Sequence, residues 1–472
     1  MSSEQEPSRR FEYFDGKSAK FWCIELDGNT HTVTYGRTGT DGQTKAKDFA
    51  DHDKARKSYD KLITQKTGKG YVEIGGDAPS DASTDGPQAD AAPFLNAIAE
   101  NPDNVDSYAV YADWLIEHGD PQGELMILQI ALESDELASA KRKTMQKSEA
   151  ALLKKHARNW LGDLAPYLID QKDYEENYRG DKYEYKFQRG FLHSISVPEF
   201  DLRFGNVLNK SPHLAQLREL IIDTTQYLEE DIVVDGKTWT EDDHGIVTLL
   251  SARLPELRKF RLGFEDFESC HTEGEGAIEL LRHTPKIEHL HFAARSIDTA
   301  KLFKMKLPNL KTLIVHHLTR YPIPILAKNA SMSNLETLCM FPHGLEPDDE
   351  DAYLTHEDIK AICTSKHLKS LKHLQFMASD IGDKGITQIV SSGLIDQLNY
   401  LDLTYGCVTD EGVKMLIESD GAKQLDKLIL DNNAISDEGV KSLKAAGINF
   451  SAKEQFASVD EEREYLWYGD PE

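Results

Sequence analysis

A chain of 472 residues exceeds what one hydrophobic core usually serves, so two to four domains are expected. The apolar share of 39% suits a folded protein, and the net charge of −27 opposes non-specific binding of nucleic acid by the chain as a whole. Five scattered cysteines without a CxxC pair exclude a disulfide framework or zinc knuckle, and no stretch approaches the ~18 apolar residues of a membrane span, so a reducing, cytoplasmic setting without membrane contact is expected.

Residues 9–74 read as a small α+β unit. Residues 20–34 alternate like a hairpin around Asp27-Gly28-Asn29, and a second turn falls at Gly39-Thr40-Asp41-Gly42. Ala55, Tyr59, Leu62 and Ile63 follow at helical spacing, and Tyr71-Val72-Glu73-Ile74 reads as a closing strand. This unit holds 13 Lys/Arg against 10 Asp/Glu, a mildly basic segment on an acidic body. Residues 75–93 lack large apolar side chains and read as a flexible linker. Residues 94–165 read as helical: Phe94, Leu95, Ile98 and Ala99 form one stripe ending at Asn101-Pro102. Tyr108, Tyr111, Ala112, Trp114 and Leu115 form a second, and a third helix opens near Gly123-Glu124.

From residue 190 to 450 a repeat takes over. Segments beginning at Leu217, Leu257, Ile287, Leu310, Leu335, Leu371, Leu398 and Leu425 each read LxxLxL with apolar substitutions. The last three start 27 residues apart. Two of these continue as VTDEGVKML and ISDEGVKSL, with IGDKGITQI close to them. Units of this size cannot bury a core alone and must stack on their neighbours, which gives an α/β solenoid. Residues 451–472, acidic with Tyr465, Leu466, Trp467 and Tyr468 clustered, are expected to cover its last repeat.

These segments resemble known families. The LxxLxL units resemble ribonuclease-inhibitor-type leucine-rich repeats, which implies a horseshoe; Asn433 fits the asparagine that follows the strand, whereas Ser379 and Gly406 depart from it. Asp113, Trp114, Gly119, Asp120, Pro121, Gly123 and Glu124, within residues 108–129, resemble the signature of the bacterial repeat-companion domain, which occurs beside such repeats. Each of these residues also has an ordinary packing or capping role open to it. Residues 9–74 resemble a WGR domain, with Tyr35-Gly36-Arg37 in place of the name-giving triplet and a basic stretch from Lys45 to Lys47. The resemblance implies contact with DNA or with a neighbouring domain through Tyr35, Arg37, Lys45 and Lys47. Tyrosine keeps an aromatic face but loses the area and donor of an indole.

Alternation along a strand sends the third and fifth motif positions, and the one after the motif, to the concave side. This nominates Lys259, Arg261, His289, His291, His316, Phe341, His373, Met377, Tyr400, Asp402 and Lys427 as a face for a protein partner, with Phe341, Met377 and Tyr400 as anchors. His289, His291 and His316 lie on adjacent predicted strands, yet no carboxylate occupies a matching position, so no metal site is assigned. The acidic run at 346–351 lacks the spacing of a calcium loop. No phosphate-binding loop, zinc-protease or nucleophile-elbow motif is present. The expectation is a non-enzymatic binding protein without catalytic residues or cofactor. Its partner is a protein through the repeats, or nucleic acid through the basic unit with the repeats recruiting.

Overall fold

The computed structural model describes residues 5–14, 19–37, 42–67, 72–74, 87–171, 182–228, 231–234, 237–240, 243–264, 272–295, 297–317, 321–342 and 354–468. The chain divides into two compact units at residue 90.

The first unit is a five-stranded antiparallel sheet with one helix. Its strands are β1 (Gln5–Phe14), β2 (Ala19–Asp27), β3 (Thr30–Arg37), β4 (Gln43–Asp48) and β5 (Val72–Ile74), in the order β4-β3-β2-β1-β5. The β2–β3 hairpin pairs without a slip from Asp27↔Thr30 to Lys20↔Arg37 around Gly28-Asn29, where Gly28 takes the positive φ the turn needs. Alternate residues Trp22, Ile24 and Leu26 of β2 and Phe11 of β1 meet Ala55 and Tyr59 of helix α1 (His52–Thr67) in a buried core. The unit starts earlier than its sequence pattern indicates, because β1 adds residues 5–8 beyond an irregularity between Glu6 and Arg9.

Four helices follow, the first of them running through the division at residue 90: α2 (Pro87–Glu100), α3 (Val105–Glu117), α4 (Pro121–Leu132) and α5 (Ser139–Leu161). A linker reaching residue 93 is therefore corrected: residues 75–86 lie outside the described residues, and from Pro87 the chain is helical. Proline is well suited to a first helical position, where its missing N–H has no partner to lose. Ala91, 3% exposed, packs in a cluster with Ile98, Tyr108 and Tyr111, so the small residues serve close packing. Helix α4 begins at Pro121 rather than Gly123. Asp120 accepts a 2.8 Å hydrogen bond from the Gln122 N–H, Gly119 turns the corner at positive φ, and Gly123 lets α4 approach so closely that a Cβ there would sit 2.5 Å from the Ala112 carbonyl.

A 12-stranded sheet follows. Its first pair, β6 (Glu184–Gln188) and β7 (Phe191–Phe200), is antiparallel. Every later pair on its main path, from β8 (Glu219–Thr225) to the strand Phe450–Ser451, is parallel. The fourth and sixth motif positions, such as Phe260 and Leu262 or Leu401 and Leu403, are fully buried in one continuous core with the returning helices. Each such side chain contributes about 1.5–3 kcal/mol, the reason stacked units hold together. The first return is the eight-residue helix Leu202–Asn209; the next helices are short (Ala277–Leu280, Thr299–Leu302, Ile323–Ala327) and later ones longer (His356–Cys363, Gly382–Ser391, Asp410–Glu418, Asp437–Ala445). An insertion within 223–240 forms the hairpin Ile232–Val234 with Lys237–Trp239, and the acidic run 346–351 lies outside the described residues.

The recurring D[EK]G triplet has a physical cause. Asp383 accepts from the N–H groups of Thr409 and Gly412 (both 2.9 Å) and from the Thr409 hydroxyl (2.7 Å) in the next unit. Asp410 likewise accepts from the Ser436 N–H (3.0 Å) and hydroxyl (2.6 Å). Each helix start thus caps the following one. Residues 451–472, expected to cover the last repeat, do so through the segment that precedes the C-terminal helix Val459–Tyr468, while the helix packs on earlier units. Its Glu462 accepts a 2.7 Å hydrogen bond from the Cys407 N–H and its Arg463 pairs with Asp380, which fixes it over two earlier units. Gln455 closes the last repeat, donating to the Leu430 carbonyl (2.8 Å) and accepting from the Ile435 N–H (2.9 Å).

Candidate recognition surface

Parallel register aligns the outward motif positions into rows on the sheet face opposite the returning helices. The first row runs Glu219, Lys259, His289, Thr312, Thr337, His373, Tyr400, Lys427. The second runs Ile221, Arg261, His291, Ile314, Cys339, Gln375, Asp402, Ile429. A third, shorter row sets Ala293, His316 and Phe341 side by side. The structure thus brings the nominated residues other than Met377, which follows the strand end at Phe376, into these rows, and it sets His316 opposite Ala293, outside the rows of His289 and His291.

Burial along the face is uneven. His316 is 1% exposed beneath a stacked Phe341 ring, 4.6 Å between centroids. Asp402 is 6% exposed and accepts from the Thr404 N–H (3.0 Å), the Thr404 hydroxyl (2.7 Å) and Gln375 (3.1 Å). These two residues, with buried His291, shape the face from within rather than standing out from it. Phe341 is half-buried and packs beside Ala378 and Cys407. His373 and Tyr400 stack at 4.0 Å; burial lowers the His373 pKa and lifts the Tyr400 phenol to about 12, helped by Asp402. Met377 and Lys427 are half-buried, the lysine donating to the Phe450 carbonyl at 3.1 Å.

At the start of the face lies a cavity of about 480 Å³. Arg218, Arg258, Lys259 and Arg261 line it with His193, Glu219, Glu288, His289, His291, Thr312 and Ile314. Asp103, from the α2–α3 loop, bridges two of these arginines: Oδ1 lies 3.0 Å from Arg218 and Oδ2 2.7 Å from Arg258. Although burial opposes it, this pair holds the Asp103 carboxyl below its ordinary range. Arg258 also reaches Glu288 (3.1 Å), Lys311 reaches the other Glu288 oxygen (2.7 Å), and Arg261 pairs with Asp223 (2.6 Å). His289 shares a 3.0 Å hydrogen bond with Thr312, and burial lowers its pKa, so the ring is neutral at pH 7. Lys259 stands exposed, with no ion-pair partner among the described residues.

The strand pattern alone overlooks Arg218, Arg258 and Asp103. A signal for the arginines was present: the second motif position reads Arg218, Arg258, Glu288, Lys311, Glu336, Lys372 in successive units, a run whose charge alternates from Arg258 onward. Asp103 carries no such signal, since only folding brings the α2–α3 loop to the sheet. Among the described residues no group of three His, Cys, Asp or Glu side chains is disposed to hold a metal ion.

In the first unit, Lys45 and Lys47 lie exposed on edge strand β4, in register with Val33 and His31. Lys45 Nζ sits 5.7 Å from the Tyr35 ring centroid and Lys47 Nζ 5.0 Å from that of Phe49. Tyr35 pairs with Trp22 and packs against the unit's core, which leaves part of its ring for contact. The Arg37 backbone belongs to β3, and its side chain lies outside the described residues.

Comparison with known proteins agrees with these two parts. A WGR domain model matches residues 8–78, and a leucine-rich repeat model matches residues 398–416 and 425–444. The chain carries a WGR domain and leucine-rich repeats. Over 65 residues it is similar to two Escherichia coli K12 proteins, YehF at 46% identity and the uncharacterized protein YfeS at 42%. Each match takes in 14% of this chain and 24% or 27% of the relative, so the chain spans about a quarter of the relatives' length. A Bacteroides fragilis protein of known crystal structure aligns over 97% of this chain and 100% of its own at 20% identity and a TM-score of 0.41, a level from which no shared fold follows. Among the described residues no helix is long and apolar enough to cross a membrane.

Proposed function

We propose that this chain is a non-catalytic, cytoplasmic adaptor. Its repeats curve into a ribonuclease-inhibitor-type horseshoe whose concave, helix-free face recognises a protein. Its helices α2–α5 serve as a repeat-companion domain, and its WGR domain makes a domain or nucleic-acid contact. WGR and leucine-rich-repeat domains both suggest binding to protein or nucleic acid. The observation that carries the reading is the alignment of polar and aromatic side chains into continuous rows. Partner surfaces of this composition anchor on a few aromatic groups within a polar rim.

The test is capture from the native host with the full chain as bait, comparing wild type with a Met377→Asp, Tyr400→Asp double variant whose melting temperature is checked alongside. We expect the variant to lose captured proteins; an unchanged set removes the reading. For the WGR domain, a salt-dependent gel shift on linear duplex DNA compares the full chain with a Lys45→Ala, Lys47→Ala variant. Removing two phosphate-neutralising lysines weakens binding and flattens its salt dependence by about two counterions if the contact is nucleic acid, and changes neither if the contact is a domain.

A further inference from the structure

We propose that the cavity at the start of the sheet face is a carboxylate-recognition site that takes an acidic segment of a protein partner; this rests on the reading of the face as a protein-binding surface. In a chain of net −27 the cavity gathers four cationic side chains beside Glu219 and Glu288; Asp103 and Asp223 pair with its three arginines, and Lys259 is left without an ion pair among the described residues. The molecule itself shows what the arginines accept. Asp103 places one oxygen on Arg218 and the other on Arg258, so a carboxylate already occupies the rim in bridging geometry. Both arginines are held in place, Arg218 by the Pro102 carbonyl at 2.6 Å and Arg258 by Glu288. A second carboxylate arriving beside Asp103 therefore meets a preorganised cationic wall, with exposed Lys259 as its direct partner.

The floor narrows the chemistry further. It is made of His289 bonded to Thr312, together with Ile314, and carries no net charge. A cationic wall over a neutral, partly apolar floor suits an acidic side chain followed by an apolar one. A phosphodiester chain suits it poorly. The row beyond the cavity continues as Thr337, His373 and Tyr400, which supply no cation for successive phosphates. The volume is that of a site for a few side chains and not of a groove that tracks a polymer.

The experiment titrates the full chain with a fluorescent decapeptide of alternating glutamate and leucine, its glutamine-for-glutamate counterpart, citrate as competitor, and a single-stranded oligonucleotide. Saturable binding of the acidic peptide is expected, with none of the glutamine peptide. Lys259→Glu should weaken it by about tenfold and Lys259→Gln by less, since this exposed side chain can be changed without touching the core. Absence of acidic-peptide binding, equal binding of the glutamine peptide, preference for the oligonucleotide, displacement by citrate at equimolar level, or indifference to Lys259→Glu overturns the proposal. Because the capture experiment above is altered at Met377 and Tyr400, loss of partners there with no peptide binding here removes this site and leaves the protein-recognition reading standing.

Discussion

Asn433 is fully buried and its side-chain amide meets four backbone groups: it donates to the carbonyls of Leu403 (2.8 Å) and Asp431 (3.0 Å) and accepts from the N–H groups of Gly406 (3.2 Å) and Val408 (2.8 Å). Asn433→Ala leaves those groups buried without partners, and we expect a loss of about 3 kcal/mol in urea unfolding. The asparagine was legible from its place after the strand; Gly406 was legible only as a departure from that pattern. The structure explains the departure, because a Cβ at Gly406 would sit 2.6 Å from the Leu403 carbonyl where this same network closes. Glu462 gives a second prediction. Burial pushes its carboxyl up to about 8 from an ordinary 4.5, with Cys407 and Arg463 opposing and Asp380 reinforcing. The folded chain therefore binds more protons than the unfolded chain between those values, and stability falls as pH rises from about 4.5 to about 8. Glu462→Gln keeps an acceptor for the Cys407 N–H and should flatten that slope, being more stable than wild type by a few kcal/mol near pH 8. Parallel melting curves across this pH range check it; coincident slopes refute it.

Between neighbouring helices the capping ladder sets the sequence of the repeat. A Cβ at Gly412 would lie 2.5 Å from Asp383 Oδ1, and one at Gly439 would overlap the Asp410 carboxylate. In an exposed helix, glycine to alanine gains about 1 kcal/mol. Here Gly439→Ala must displace a cap, so we expect a loss of about 1–3 kcal/mol, read as a lower urea midpoint with unchanged slope. This ladder is why the last three units were plain in the sequence: the triplet recurs because each copy serves the next. The early units lack it, and the three helices between Ala277 and Ala327 are brief. Composition misled at residues 87–93, where small residues imitate a linker although Ala91 is core, since packing density cannot be read from side-chain size.

At the scale of the second unit, helices α2–α4 are fastened to the start of the sheet through polar side chains. Gln129 accepts from the Gly190 N–H (2.8 Å) and donates to the Phe187 carbonyl (2.9 Å), and Arg189 grips Glu133. Asp103 joins two successive repeats to the α2–α3 loop, but its side chain is 60% exposed and solvent screens it. Asp103→Ala should therefore cost only about 1 kcal/mol globally while speeding amide exchange at the start of α3; unchanged exchange there would deny the fastening. None of these contacts spans fewer than 55 residues of sequence, which is why the sequence showed the helices and the repeats and not their junction. The alternating second motif position also has a consequence for how such a protein can change its length. Glu288 sits between Arg258 and Lys311 and bonds both. Excising its unit alone sets two cations shoulder to shoulder, whereas excising it with the next places Arg258 beside Glu336 and restores attraction. In this stretch the array carries a parity rule, and units are gained or lost most easily in pairs.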